Sequence, residues 1–261
     1  MSSERRIPCA IYAPGRRISQ LALTVSNRPG ALAEIAHAIH EAGVGVLSGL
    51  IWAEPGEETA TWVFFVDLTG ASMEARELAE KLESLNVVLK AEVIKRRFND
   101  LIIDAFSFPT MFLARRMVLL DICSMTAMLD WIDRTFGTGG HAILFDMGRE
   151  AGKMVVGILK EKYGLAGPKL IEAFLALCTA MGWFRYEVLD MDPQALKARV
   201  RLYESYECSP FVCSSERPKS HLLRGVLAGA FEEAFGRSFA VNEVKCVAKG
   251  DECCEFEIEP L

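Results

Sequence analysis

Residues 243–256 read EVKCVAKGDECCEF, and this stretch decides the fold that we expect for the second half of the chain. Strand-like residues flank Lys249-Gly250-Asp251, which the pattern predicts to be a three-residue hairpin loop because Gly250 tolerates a positive φ angle. A hairpin that is symmetric about Gly250 places Cys246 directly opposite Cys254, with their Cβ atoms about 4.5 to 5.5 Å apart. Both sulfur atoms then leave the same face, and such a pair can hold two corners of a tetrahedral zinc site.

The composition of the whole chain is that of a folded protein with room for two domains. It has 261 residues, of which 51% are hydrophobic and 25% charged, and these fractions exclude a disordered or collagen-like chain. A formal net charge of -6 removes the usual electrostatic argument for direct nucleic-acid binding. No apolar run approaches the roughly 20 residues of a membrane span, and no signal-peptide segment is evident. We therefore expect a cytoplasmic protein whose eight cysteines are reduced.

The first half of the chain predicts the element order β-α-β-β-α-β. Apolar residues alternate at Leu21, Leu23 and Val25 as in a strand, and helical spacing begins at Ala31. The remaining elements are predicted at residues 44–52 (strand), 59–68 (strand), 72–84 (helix) and 87–95 (strand). This order is the split βαβ arrangement of ferredoxin-like folds.

Within this order, residues 25–36 read VSNRPGALAEIA and resemble the ACT domain over residues 18–97. The resemblance implies a regulatory module that pairs through its sheets and often binds an amino acid where the first strand meets the first helix. The candidate ligand-binding residues are Asn27, Arg28, Pro29, Gly30, Ala31 and Leu32. Free N–H groups and the positive end of the helix dipole at this turn suit a carboxylate.

One position departs from the ACT pattern, because Asn27 stands where the family usually has an acid before Arg-Pro-Gly. An amide binds polar groups but does not pair with an ammonium group. Two interpretations are therefore open: the turn binds an amino acid, or it is only a tight turn in a domain that dimerises. In both, we expect a homodimer formed through an unpaired edge strand such as residues 87–94.

The second half predicts a mixture of helices and strands after a domain boundary near residue 100. Helices are expected at 111–136, 148–163 and 170–181, and strands at 184–189 and 198–206. Two segments, GREAG at 148–152 and GVLAG at 225–229, carry glycines four residues apart within helical patterns. Such glycines indicate a smooth helix face that packs closely on a sheet or accepts a flat hydrophobic ligand.

These two glycine motifs and the terminal stretch resemble the vinyl-reductase-like, or hydrocarbon-binding, domain, which we place at residues 105–261. The resemblance implies an α+β fold related to vesicle-tethering subunits and a role in binding small hydrophobic molecules. Members of the family occur in phenol-sensing activators and in a protein linked to tetrapyrrole vinyl reduction. The whole chain is therefore expected to be an α+β protein with a ferredoxin-like βαββαβ ACT domain and this second domain.

The same resemblance implies a zinc site. In the aromatic-sensing members, zinc is held by a glutamate, two hairpin cysteines and one earlier cysteine, and the first three match Glu243, Cys246 and Cys254. The earlier position is Ser220 here, so the missing ligand would come from Cys208, Cys213 or His221. Strict strand alternation puts Glu243 on the face opposite to Cys246, so a β-bulge is required. The alternative is a set of metal-free thiols packed as small apolar residues.

The sequence contains none of the common catalytic motifs, such as a nucleophile elbow, a dinucleotide fingerprint or a His-Glu-x-x-His pair. We therefore expect a non-enzymatic sensor that binds a small hydrophobic molecule and, at its ACT domain, an amino acid. A component of tetrapyrrole vinyl reduction and a protein-interaction scaffold remain as alternatives.

Overall fold

The computed structural model describes residues 4–94, 97–113 and 115–261. The chain divides into two units, the first ending at Val118 and the second beginning at Leu119. This division lies further along the chain than the boundary expected near residue 100 and the domain start at 105. The reason is that Leu101–Ile103 forms a strand paired with Ala10–Tyr12, which ties these residues to the N-terminal unit.

The N-terminal unit contains the predicted β-α-β-β-α-β order. Its described elements are β1 (Ala10–Tyr12), β2 (Ile18–Ser26), α1 (Ala31–Glu41), β3 (Gly45–Trp52), β4 (Thr59–Asp67), α2 (Ala75–Glu83), β5 (Val88–Ile94), β6 (Arg97–Phe98), β7 (Leu101–Ile103), β8 (Met111–Phe112) and β9 (Arg115–Arg116). The elements from β2 to β5 build an antiparallel sheet of order β3-β4-β2-β5, which confirms the ferredoxin-like fold. The last residue of the predicted fourth strand, Lys95, lies outside the described residues.

Period-2 alternation explains how β2 serves the core of this unit. Leu21, Leu23 and Val25 point to one face and pack in a single cluster with Ile35 of α1 and Leu78 of α2. These five residues are at most 1% exposed, so the apolar faces of both helices are buried on β2. The turn between β2 and α1 is thereby held at the edge of this core.

The C-terminal unit combines helices with a four-stranded antiparallel sheet, which confirms the α+β expectation. Its described elements are α3 (Ile122–Phe136), α4 (Thr138–Tyr163), α5 (Gly167–Ala180), β10 (Arg185–Asp192), β11 (Lys197–Tyr203), α6 (His221–Phe235), β12 (Phe239–Lys245) and β13 (Cys254–Pro260). The sheet order is β10-β11-β13-β12. The helix predicted to begin at residue 111 begins only at Ile122, because Met111 pairs in a short hairpin with Arg116. Among the described residues, no helix is long and apolar enough to cross a membrane.

The glycine motifs of the second half meet each other across a helix pair. A Cβ atom added to Gly148 of α4 would overlap the carbonyl oxygen of Leu222 in α6, and one added to Gly225 would overlap that of Phe145. Gly152 and Gly229 have equivalent contacts one turn further along. The glycines therefore allow close packing of α4 on α6, so the expected partner, a sheet or a flat ligand, is replaced by a second helix.

Candidate metal centre

Four potential metal ligands lie together in the C-terminal unit. The Sγ atoms of Cys208, Cys246 and Cys254 and a carboxylate oxygen of Glu243 all lie within 4.8 Å of one another. The three cysteines are fully buried and Glu243 is partly buried. Three sulfur atoms and one carboxylate oxygen are donors that zinc accepts in tetrahedral sites, so these residues fit the metal that the sequence predicted.

The hairpin of β12 and β13 supplies three of the four donors. Its register pairs Lys245 with Glu255, so the next two positions, Cys246 and Cys254, face each other as predicted. A β-bulge lies between Glu243 and Lys245. The extra residue brings Glu243 to the side of Cys246, which strict alternation would forbid. The bulge that the donor spacing required is therefore confirmed.

The connection of this hairpin is longer than the predicted three-residue loop. It runs from Cys246 to Cys253 and contains the 3-10 turn Val247–Lys249. Asp251 closes the connection, because its carboxylate accepts the backbone N–H of Cys246 at 2.8 Å and its own N–H donates to the carbonyl of Cys246 at 3.2 Å. These bonds hold the backbone of Cys246 on both sides and so position its sulfur.

Cys208 reaches the cluster from the segment that follows β11. The adjacent Glu207 is 2% exposed, and its carboxylate accepts the backbone N–H groups of Leu222 and Leu223, both at 2.8 Å. Because these N–H groups belong to the first turn of α6, Glu207 caps that helix and ties the segment with Cys208 to it. Burial raises the pKa of Glu207 to about 8. No sequence motif marks this glutamate, and sequence reasoning missed it.

Ser220 occupies the position where the family resemblance expects the earlier cysteine. Its hydroxyl donates to Oε1 of Glu243 at 2.7 Å, and its backbone N–H donates to Oε2 at 3.1 Å. The same hydroxyl lies 3.0 Å from Sγ of Cys208. Ser220 therefore stays beside the donor cluster and orients Glu243, while Cys208 brings the fourth donor from another segment.

The two other candidate ligands lie outside the cluster. Cys213 is exposed. His221 stacks on His141 with ring centroids 3.8 Å apart, and His141 Nε2 lies 2.6 Å from Oδ1 of Asp133. Burial, and then the neighbouring His141, lower the pKa of His221 to about 4. His221 and Asp133 also line a cavity of about 20 Å³, which has room for about one water molecule.

Hydrogen bonds among the thiols decide which sulfur is ionised. Sγ of Cys208 lies 3.7 Å from Sγ of Cys246. Hydrogen bonds from Cys208 and Cys254 lower the pKa of Cys246, and the same contact raises the pKa of Cys208. Burial, and then the charge of Cys246, raise the pKa of Glu243 to about 8. The cluster thus concentrates groups that release protons when a cation binds.

The predicted ligand-binding turn of the N-terminal unit lies between β2 and α1. Gly30 has a φ angle of 89° and is the N-cap of α1. The side-chain amide of Asn27 donates to the carbonyl of Glu57 at 2.9 Å, and Arg28 forms an ion pair with Glu34 at 2.9 Å. The candidates from Asn27 to Leu32 are therefore contiguous on the surface, except for the buried Ala31.

Sequence comparison identifies the C-terminal unit. Residues 198–260, which include most of β11, the donor cluster and β13, match the vinyl-4-reductase domain. The uncharacterized protein MJ1460 of Methanocaldococcus jannaschii is 30% identical over 129 residues, which cover 49% of this chain and 72% of that protein. The protein MJ0745 of the same organism is 39% identical over 46 residues, 18% of this chain and 25% of that protein.

Comparison with solved structures agrees on the fold. The crystal structure of the phenol-responsive sensory domain of the transcription activator PoxR, with phenol, superposes with a TM-score of 0.52. The sequence identity is 20%, and the match covers 57% of this chain and 79% of that chain. Through its C-terminal unit, the chain therefore belongs to the vinyl-4-reductase domain family.

Proposed function

We propose that this protein is a non-enzymatic, ligand-responsive regulator whose C-terminal unit binds a small hydrophobic molecule. The observation that carries the proposal is the fold that this unit shares with a phenol-responsive sensory domain. In that interpretation the ligand changes the conformation or the assembly of the protein, and a partner reads the change. A family resemblance alone is a weak argument for any chemical step.

The donor cluster supports a structural zinc in this unit. Cys208, Glu243, Cys246 and Cys254 would hold the ion, which would cross-link the hairpin to the segment that precedes α6. Structural zinc sites have four protein ligands, whereas catalytic sites keep one position for water or substrate. A site filled by four protein donors therefore supports a structural role and argues for a protein that is not a catalyst.

We assign the N-terminal unit to the ACT family as a regulatory and dimerising module. The βαββαβ order and the N-cap at Gly30 support an anion site over residues 27–32, where an amino-acid carboxylate would accept backbone N–H groups. The edge strand β3 supports a homodimer, because five large apolar residues of this strand are more than 40% exposed: Val46, Leu47, Leu50, Ile51 and Trp52.

Native mass spectrometry of freshly purified protein tests this function. We expect a dimer that carries a co-purified apolar molecule. A bound tetrapyrrole or flavin would instead favour the reductase alternative, and an empty dimer would favour the scaffold.

A further inference from the structure

A groove of about 380 Å³ lies on the C-terminal unit between two helices and a strand. Helix α4 contributes Phe145 and Arg149, α6 contributes Arg224 and Glu232, and β12 contributes residues 239–242. Small-molecule sites commonly have volumes of about 300–1,000 Å³. The groove therefore has the size of a ligand site, whereas the cavity beside His221 has room for about one water molecule.

Arg224 has no anionic partner among the described residues. Its Nε atom is buried without a hydrogen bond, and its guanidinium group lies 5.7 Å from the ring centroid of Phe145. The buried carboxylate of Glu207 senses the charge of Arg224 but already accepts two backbone N–H groups. A buried donor without an acceptor is costly, so the position of Arg224 favours an acceptor from outside the chain.

The other charged side chains of the groove are paired. Arg149 Nε donates to Glu232 Oε2 at 2.8 Å, and Lys153 Nζ lies 3.2 Å from the same oxygen. The lining side chains include two arginines and one glutamate, which leaves them with a single net positive charge. A ligand with one negative charge would neutralise that charge.

The walls beside Arg224 are apolar. Phe239 is 3% exposed and Val241 is 6% exposed, and the ring of Phe145 lies on the opposite side, on α4. A planar guanidinium group matches a carboxylate with two parallel hydrogen bonds. We propose that this groove binds a small organic monocarboxylate, with its carboxylate on Arg224 and its aromatic or acyl body against Phe145 and Phe239.

This inference rests on the proposed sensor function and names the class of its ligand. The groove is also connected to the donor cluster. Arg224 lies one helical turn after Ser220 and donates its backbone N–H to the Ser220 carbonyl at 3.0 Å, while the Ser220 hydroxyl bonds Glu243. A carboxylate on Arg224 would therefore be bound one turn away from the cysteine hairpin.

Calorimetric titration of the full chain tests the inference, with benzoate and hexanoate as probes and benzamide as the neutral counterpart of benzoate. We expect at least one carboxylate to bind, and benzamide to bind roughly tenfold more weakly than benzoate or not at all. Arg224→Gln should weaken carboxylate binding by roughly tenfold or more, and Arg224→Lys should have an intermediate effect. Arg185→Gln, on β10 at the opposite edge of the same sheet, is the matched control and should leave binding unchanged.

Three results would overturn the inference: neither carboxylate binds at millimolar concentration, benzamide binds as well as benzoate, or Arg224→Gln binds benzoate as the unaltered protein does. Should Arg224→Gln fail to fold by circular dichroism, the comparison of benzoate with benzamide on the unaltered protein decides. Phenol binding without any preference for carboxylates would sink this inference and leave the proposed function standing. A co-purified apolar molecule detected by mass spectrometry tests the proposed function separately.

Discussion

The hydroxyl of Ser220 donates a 2.7 Å hydrogen bond to Oε1 of Glu243, which joins the N-cap of α6 to the hairpin of β12 and β13. This pair brings together the position where the family resemblance expects a cysteine and the carboxylate of the donor cluster. The serine cannot replace a thiolate ligand, but it keeps the carboxylate in place. A cysteine from a different segment, Cys208, completes the donors.

We predict that the protein binds one zinc ion per chain and that Cys208→Ser and Cys246→Ser both remove it. Loss of the ion should lower the free energy of unfolding by several kcal/mol, because metal binding and folding are coupled in structural sites. Elemental analysis of protein made without a His tag and thermal melts measure the two effects. Cys213→Ser is the control, and its zinc content should equal that of the unaltered protein, since Cys213 is exposed and outside the cluster. An unaltered protein that contains no zinc would leave the thiols as core packing.

We predict that Ser220→Cys restores zinc to the Cys208→Ser variant. The Ser220 Oγ atom lies 3.0 Å from Cys208 Sγ and 3.8 Å from Cys254 Sγ, so a thiol at position 220 would point into the same cluster. Zinc content and melting temperature of the double variant are the measurements. A double variant as metal-free as Cys208→Ser would show that position 220 cannot supply a ligand in this chain.

We predict that Gly229→Ala destabilises the protein strongly, because the added Cβ would overlap the backbone carbonyl of Arg149 in α4. Overpacking of this kind costs about 1 to 3 kcal/mol, and here it falls on backbone atoms that cannot rotate away. The control is Gly139→Ala in the first turn of α4, where no atom lies within 4 Å of the new Cβ. Chemical denaturation should show the control to be neutral or slightly stabilised, and equal stabilities of the two variants would contradict the close helix pair.

We predict that an amino acid raises the melting temperature and that Gly30→Val abolishes this shift without dissociating the dimer. Gly30 has a φ angle of 89°, which a β-branched residue does not adopt without strain, so the turn and its N–H groups would move. Gly70→Val provides the control, because Gly70 is a loop glycine with open space around it and no left-handed backbone. If none of the twenty amino acids changes the melting temperature, the turn is structural.

We predict a homodimer that pairs through β3, so light scattering should report about twice the 28.9 kDa of the chain. Ile51→Lys should give a monomer, because a lysine on an edge strand opposes strand pairing. Leu89→Lys in β5, the other edge of the sheet, should remain dimeric. A monomeric unaltered protein at micromolar concentration would refute the dimer, and a monomeric Leu89→Lys variant alone would move the interface to β5.

Local pattern determined the parts of this protein that depend on short-range geometry. The opposition of Cys246 and Cys254 and the bulge beside Glu243 were predictable because strand side chains alternate with period 2 and a hairpin pairs neighbours in the chain. The βαββαβ order was predictable for the same reason, since each amphipathic element declares its own period.

Contacts between distant segments could only be decided by the tertiary structure. Cys208 precedes Cys246 by many residues, and its choice over Cys213 and His221 depends on how Glu207 caps α6, a contact with no sequence motif. The glycines of α4 announced a close approach but not its partner, because a missing Cβ makes room without specifying what fills it. Arg224 likewise looked like any helical arginine until the fold left its guanidinium group unpaired beside a groove. In each case the sequence by itself determined the chemical group and its local conformation, and long-range packing chose the partner.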